Sequence, residues 1–181
     1  MSDLIAKLNK ALKPKGNSSQ QGNFRHENEA AILEAAKNLL VTSEVGQELL
    51  EFAAENGVSI HVLRNKQDFG VLPDEKAVFV SCPAGVDMPT ARVVIRLAGA
   101  LREAMQELKG LYTRPKTSKI GKDRFIQQQT EQQKNMLFWQ TAVVHEIYEA
   151  TGLSQIVDEF AAMGYSDLYE AYKKDLEEAS G

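Results

Sequence analysis

Residues 77–110, AVFVSCPAGVDMPTARVVIRLAGALREAMQELKG, decide how this chain is read. The opening run Ala77-Val78-Phe79-Val80-Ser81-Cys82 is short, apolar and rich in β-branched residues, the composition of a strand. Pro83-Ala84-Gly85 turns the chain. From Pro89 onward Val94, Leu97, Ala98, Leu101, Met105 and Leu108 recur at i, i+3, i+4 and i+7. That spacing lays them along one face of a long helix and predicts that the helix packs on the strand it follows. The neighbouring face carries Arg92, Arg96, Gly99, Glu103 and Gln106 and reads as a solvated, charged surface.

Working upstream, Val58, Ile60 and Val62 alternate with Ser59, His61 and Leu63, the period of a strand that would pair with residues 77–82. Arg64 to Lys76, with Gly70, Pro73 and Asp74, reads as a surface connection. Two helices come earlier. One runs from Glu27 to Leu40 on Ala31, Leu33, Ala35, Ala36, Leu39 and Leu40. The other begins at Thr42 or Ser43, turns Val45, Leu49, Phe52 and Ala53 inward and stops at Asn56-Gly57. Before them, Ser2 caps a segment in which Leu4, Ile5, Leu8 and Leu12 are flanked by Lys7, Lys10 and Lys13. It ends at Pro14 and Gly16 and leads into Asn17-Ser18-Ser19-Gln20-Gln21-Gly22-Asn23, a linker composition. Residues 1–24 are therefore expected to be a basic amphipathic arm with its linker, and residues 25–181 one globular domain.

Downstream, Lys109 to Arg124 reads as a loop. It gathers Arg114, Lys116, Lys119, Lys122 and Arg124, a cluster able to bind phosphate or an acidic partner, or simply to keep a loop soluble. A second long helix then runs from Gln127 to Gly152 on Leu137, Val144, Ile147 and Tyr148. Shorter helices follow over Gln155 to Met163 and after Ser166. The expected fold class is α+β, mostly helical, with a sheet of two to three strands packed against long helices.

Composition sets the outer limits. One domain with a real core fits 181 residues, of which 43% are apolar and 25% charged. A net charge of -4 argues against a dedicated nucleic-acid binder. The single cysteine, Cys82, permits neither an internal disulfide nor a thiolate zinc site, and fits a reducing, cytoplasmic setting. At the end of an apolar strand it reads as a small hydrophobe rather than a nucleophile. No stretch approaches the length of a membrane span, and the charged first residues do not read as a signal peptide.

The segment of greatest chemical interest is Val143-Val144-His145-Glu146-Ile147-Tyr148-Glu149. In H-E-x-x-H two imidazoles one helical turn apart hold zinc, and the glutamate between them acts as general base. Here Glu149 stands in place of the second imidazole. A metal site on this helix would have His145 and Glu149 as ligands, Glu146 as base, and would need His61 or His26 from elsewhere. The plainer reading is a His-Glu pair on the exposed side of a packed helix. No Gly-rich phosphate loop and no G-x-S-x-G elbow occurs.

The order of elements between Asn38 and Gly152 resembles a family of small uncharacterised bacterial metallopeptidase-like proteins of the zincin type. The family's first long helix carries H-E-L-R-H-A-x-Q. The segment Gly99-Ala100-Leu101-Arg102-Glu103-Ala104-Met105-Gln106 keeps the Leu, Arg, Ala and Gln but has Gly99, Ala100 and Glu103 where the two histidines and the glutamate stand. The family's later E-A-D-A motif is matched only by Glu131 in Thr130-Glu131-Gln132-Gln133. The resemblance thus implies a zincin-like core at about 38–152, C-terminal helices at 153–179, and a degenerate site. It leads to two expectations. The first is a non-catalytic relative that serves as an interaction or structural module for a protein partner, with no cofactor. The second is a zinc-dependent hydrolase rearranged around His145, Glu146 and Glu149.

Overall fold

The computed structural model describes residues 24–64, 67–83, 86–111 and 122–181. The basic arm and its linker fall outside these residues except for Phe24, which belongs to the first helix instead. Helix α1 spans Phe24–Leu40 and α2 spans Glu44–Glu55. Strand β1 is Ser59–Leu63, β2 is Phe69–Leu72 and β3 is Ala77–Ser81. Helix α3 runs over Thr90–Leu108, α4 over Lys122–Thr151, α5 over Ser154–Phe160 and α6 over Ser166–Ser180. The molecule is mostly helical with one small sheet, an α+β arrangement.

The strands lie in the order β1-β3-β2. β1 runs parallel to β3 and β2 antiparallel to it, with Ile60 and Val71 flanking Val78, and Val62 and Phe69 flanking Val80. Paired residues share a face, so these six apolar side chains form one apolar face of the sheet. Val78 and Val80 enter the core there, with Ile60, Phe69 and Val71 packed partly against them. The connection expected between 64 and 76 therefore hides a strand. Four residues interrupted by Gly70 and closed by Pro73 carry too short a pattern to announce one.

Helix α3 is the centre of the molecule. It packs on β2 and β3, on α1 and α2, and on α4 and α5. The apolar face predicted for it is buried from Val94 to Met105, with Leu108 exposed at its end, but so is much of the face expected to be solvated: Arg96, Gly99 and Gln106 are buried. The charged-surface reading is thus wrong for most of that face. Periodicity sees only where the apolar residues lie; here Asp68, Ser81 and Met88 meet Arg96, Gln140 and Phe69 stand against Gly99, and Asn135 of α4 accepts from Gln106.

Of the two starts offered for α2, Thr42 and Ser43, it is Ser43 that caps the helix, its Oγ accepting from the Gly46 N–H at 2.9 Å. A β-carbon on Gly46 would overlap the carbonyl oxygen of Leu40, so the tight turn from α1 into α2 depends on glycine at that position. α4 begins at Lys122, inside the stretch expected to be a loop, and its side chains between Arg124 and Lys134 are mostly exposed. Only from about Asn135 onward does α4 enter the body of the fold. After α5 the chain kinks at Gly164, where φ is 94°, and continues into α6.

Candidate functional site

Of the positions singled out by the resemblance, Gly99 lies in the contact between α3 and α4. Gly99 faces α4 directly, and a β-carbon there would come within 2.5 Å of Gln140 Nε2 and 2.8 Å of Phe69 Cζ. With no side chain on Gly99, the carbonyl of Ile95 one turn earlier stays within reach, and Gln140 Nε2 donates to it at 2.8 Å. The space a ligand side chain at residue 99 would use is filled by Gln140 and the Phe69 ring. Ala100 is fully buried in the core.

One turn further along, the same seam is polar. Arg102 Nε donates to Asn135 Oδ1 at 2.9 Å, and Gln106 Nε2 donates to the same oxygen at 2.8 Å. The Arg102 guanidinium lies 3.9 Å from the centroid of the Trp139 ring, and its Nη1 is 2.9 Å from Met105 Sδ. Buried cations are tolerated only with such partners. Two amide oxygens in this seam, Gln106 Oε1 and Gln140 Oε1, are buried with no hydrogen-bond partner among the described residues. Glu103 is half-buried and makes its own contacts. Glu131 lies on the exposed part of α4 and accepts from Gln127 Nε2 at 3.3 Å, a contact within its own helix.

The His145-Glu146-Glu149 group sits further along α4, and its members go separate ways. Glu146 points at the start of α2. Its Oε2 accepts from Ser43 Oγ at 2.6 Å and from the Val45 N–H at 3.0 Å, so a carboxylate from α4 completes the cap of α2. Negative charge is favoured at a helix N-terminus, where backbone N–H groups lack helical partners. His145 packs between Tyr169 and Tyr172 of α6, with ring centroids 6.1 and 5.6 Å away and the Tyr169 hydroxyl 3.5 Å from Nδ1. Glu149 is exposed. The pair is therefore not on an open helix face: both His145 and Glu146 are half-buried and already in contact with other elements. Burial pushes the Tyr169 hydroxyl above its ordinary range despite the opposing effect of Lys173. Burial, reinforced by the Glu146 charge, does the same to Tyr172.

His61 lies on the opposite face of the sheet from the residues that pack on α3. It pairs in register with Phe79, is exposed, and its Nε2 is 3.0 Å from Ser59 Oγ. Among the described residues no group of three or more His, Cys, Asp or Glu side chains is close enough to hold a metal ion. The arrangement does not bring His145, Glu149 and His61 together. The side chain of His26 lies outside the described residues, as do Arg114, Lys116, Lys119 and the side chain of Lys122. Of the basic cluster, Arg124 is seen, exposed near the start of α4. Cys82 is half-buried beside the core. Burial pushes its thiol up, against the lowering influence of Arg96, which does not favour a thiolate nucleophile.

Comparison with known proteins found no family model, curated protein or solved structure that matches the chain. Asn135, Trp139 and Gln140, which build the α3–α4 seam, carry no motif. The signal available for Gln140 was its place at the inward spacing between Leu137 and Val144. The Ser43–Glu146 link had no local signal at all. No helix among the described residues is long and apolar enough to cross a membrane.

Proposed function

We propose that this chain is a non-catalytic relative of the zincin-type metallopeptidases that acts as an interaction or structural module for a protein partner. The observation that carries this reading is the filling of the space beside Gly99 by Gln140 and Phe69, where a metal-ligating side chain would have to stand. The fate of Glu146 supports it as well. A general base needs free lone pairs near a reacting proton, whereas Oε2 of Glu146 already receives hydrogen bonds from Ser43 and Val45. On this reading the carboxylate holds α4 to α2, and His145 holds α4 to α6. The exposed first turns of α4, which leave the body of the fold and carry Arg124 at their start, suit a role in contacting a partner.

The test is metal binding by tag-free protein, followed by elemental analysis and by melting temperature with and without added zinc. A ligand bound only by the folded state raises stability with occupancy. The expected result is substoichiometric zinc and an unchanged melting temperature. Stoichiometric zinc with a clear upward shift, both lost in His145→Ala, would overturn the proposal and favour a zinc-dependent hydrolase built on that helix.

A further inference from the structure

A cavity of about 190 Å³ opens where the β2–β3 turn meets the C-terminal end of α3. Val58, Val71, Ala77 and Ala104 line it, with Leu108, 45% exposed, as a further apolar residue of the lining. Two charged residues stand at the lining, Lys76 and Glu107. The volume is similar to that of cavities that hold a benzene-sized molecule, about 150 Å³. It therefore has room for a tail of about five or six carbons.

Lys76 is unusual. Its φ of 45° and ψ of 54° place it in the left-handed region, and it is the sole non-glycine residue with positive φ among those described. That conformation disfavours any residue with a β-carbon, and glycine adopts it freely. Lysine thus occupies a position that backbone energetics would give to glycine. Its exposed side chain makes no ion pair among the described residues. A lysine without an ion pair in the lining of an apolar hollow can recognise an anion that carries hydrocarbon.

We propose that this cavity binds a small aliphatic carboxylate, with the hydrocarbon tail among Val58, Val71, Ala77 and Ala104 and the carboxylate paired with Lys76 Nζ. Two sources share this chemistry, a free branched-chain acid and an aliphatic amino acid. The amino acid would turn its α-ammonium toward Glu107, which is part of the same lining and already makes a contact of its own.

The experiment is a methyl NMR titration of the full chain with 4-methylpentanoate, with leucine, and with 4-methylpentanamide as the uncharged control. Binding is expected to move the Val58, Val71 and Leu108 methyl signals, with an affinity on the order of 1 mM for one carboxylate and a short tail. Lys76→Gly should weaken binding by about tenfold while raising the melting temperature by roughly 2 °C, because glycine relieves the left-handed backbone. A lysine with only a structural part to play would leave affinity unchanged. Ala104→Leu fills the cavity and should abolish binding; Leu108→Trp, at the exposed part of the lining, gives the same steric test without altering the core. Tighter binding of leucine, weakened by Glu107→Gln, assigns the site to amino acids, and tighter binding of the acid, unaffected by Glu107→Gln, assigns it to free acids. The proposal is overturned if these methyl signals do not move up to roughly 10 mM ligand. It also fails if the amide binds as well as the acid, or if Lys76→Gly binds undiminished.

Discussion

Ser43 Oγ lies 2.6 Å from Oε2 of Glu146, a hydrogen bond that closes 103 positions of sequence. The same serine accepts from Gly46 N–H, and the same carboxylate oxygen accepts from Val45 N–H. The cap residue of α2 and a side chain from α4 thereby satisfy the start of α2 together. Removing the carboxylate leaves the hydroxyl of buried Ser43 and the Val45 N–H without their acceptor. Glu146→Ala is expected to destabilise the fold by about 1–3 kcal/mol, and Glu146→Gln, which keeps an acceptor but loses the charge, by about 1 kcal/mol. Urea denaturation checks both. If Glu146→Ala unfolds at the wild-type midpoint, the carboxylate has no part in holding α4 to α2.

Gly99 tests the α3–α4 seam from the opposite direction, by adding atoms. Gly99→Ala puts a carbon 2.5 Å from Gln140 Nε2 and 2.8 Å from the Phe69 ring. Overpacking of this kind costs about 1–3 kcal/mol, and Gly99→His should cost more. Combining Gly99→Ala with Gln140→Ala should recover part of the loss, because neighbouring changes are not additive. Simple additivity in that double-mutant cycle would show that Gln140 is not what fills the space.

Arg102 and the single tryptophan provide an optical readout of the same seam. The guanidinium covers the Trp139 ring at 3.9 Å and donates to Asn135. An ammonium cannot stack flat on an indole or repeat the fixed donor geometry. Arg102→Lys should lower stability by about 1–2 kcal/mol and shift the tryptophan emission to the red. An unchanged spectrum would place the stacking contact in doubt.

Alkaline pH should act through Tyr169. Its hydroxyl, buried between α4 and α6, is pushed above the ordinary value of 10.0, chiefly by burial. The folded state therefore holds this proton more tightly than the unfolded chain does. Stability from this source is complete below about pH 10 and is lost as pH rises through the elevated value. Tyr172 titrates in the same direction. Melting temperatures measured upward from pH 9 should fall, and Tyr169→Phe should flatten the fall. An equally steep fall in that variant would assign the loss to other groups.

Much of the fold was legible because local chemistry wrote it. The β1–β3 pairing, the Ser43 cap, the stop at Asn56-Gly57 and the apolar face of α3 each follow from a spacing or a residue with a mechanism. β2 was not legible, since Phe69, Val71 and Leu72 are too few, and Gly70 breaks their pattern. The polar side of α3 was misread for a different reason: Arg96, Arg102 and Gln106 look like surface residues until Asp68, Asn135 and Trp139 arrive from other elements to cover them. The candidate site failed in the same way. His145 and Glu146 are adjacent in sequence, but one serves the contact with α6 and the other the contact with α2. Adjacency on a helix says nothing about which partner each side chain meets.

The position of α3 has a consequence for how the molecule can come apart. A helix enclosed by strands on one side and by four helices around the rest meets solvent chiefly at its ends, and its neighbours share it as an inner face. Peeling off either the sheet or the helices would strip that shared surface from both at once. Opening is therefore all-or-none for the body of the fold, and the backbone amides in the middle of α3 exchange with water only when the whole chain unfolds.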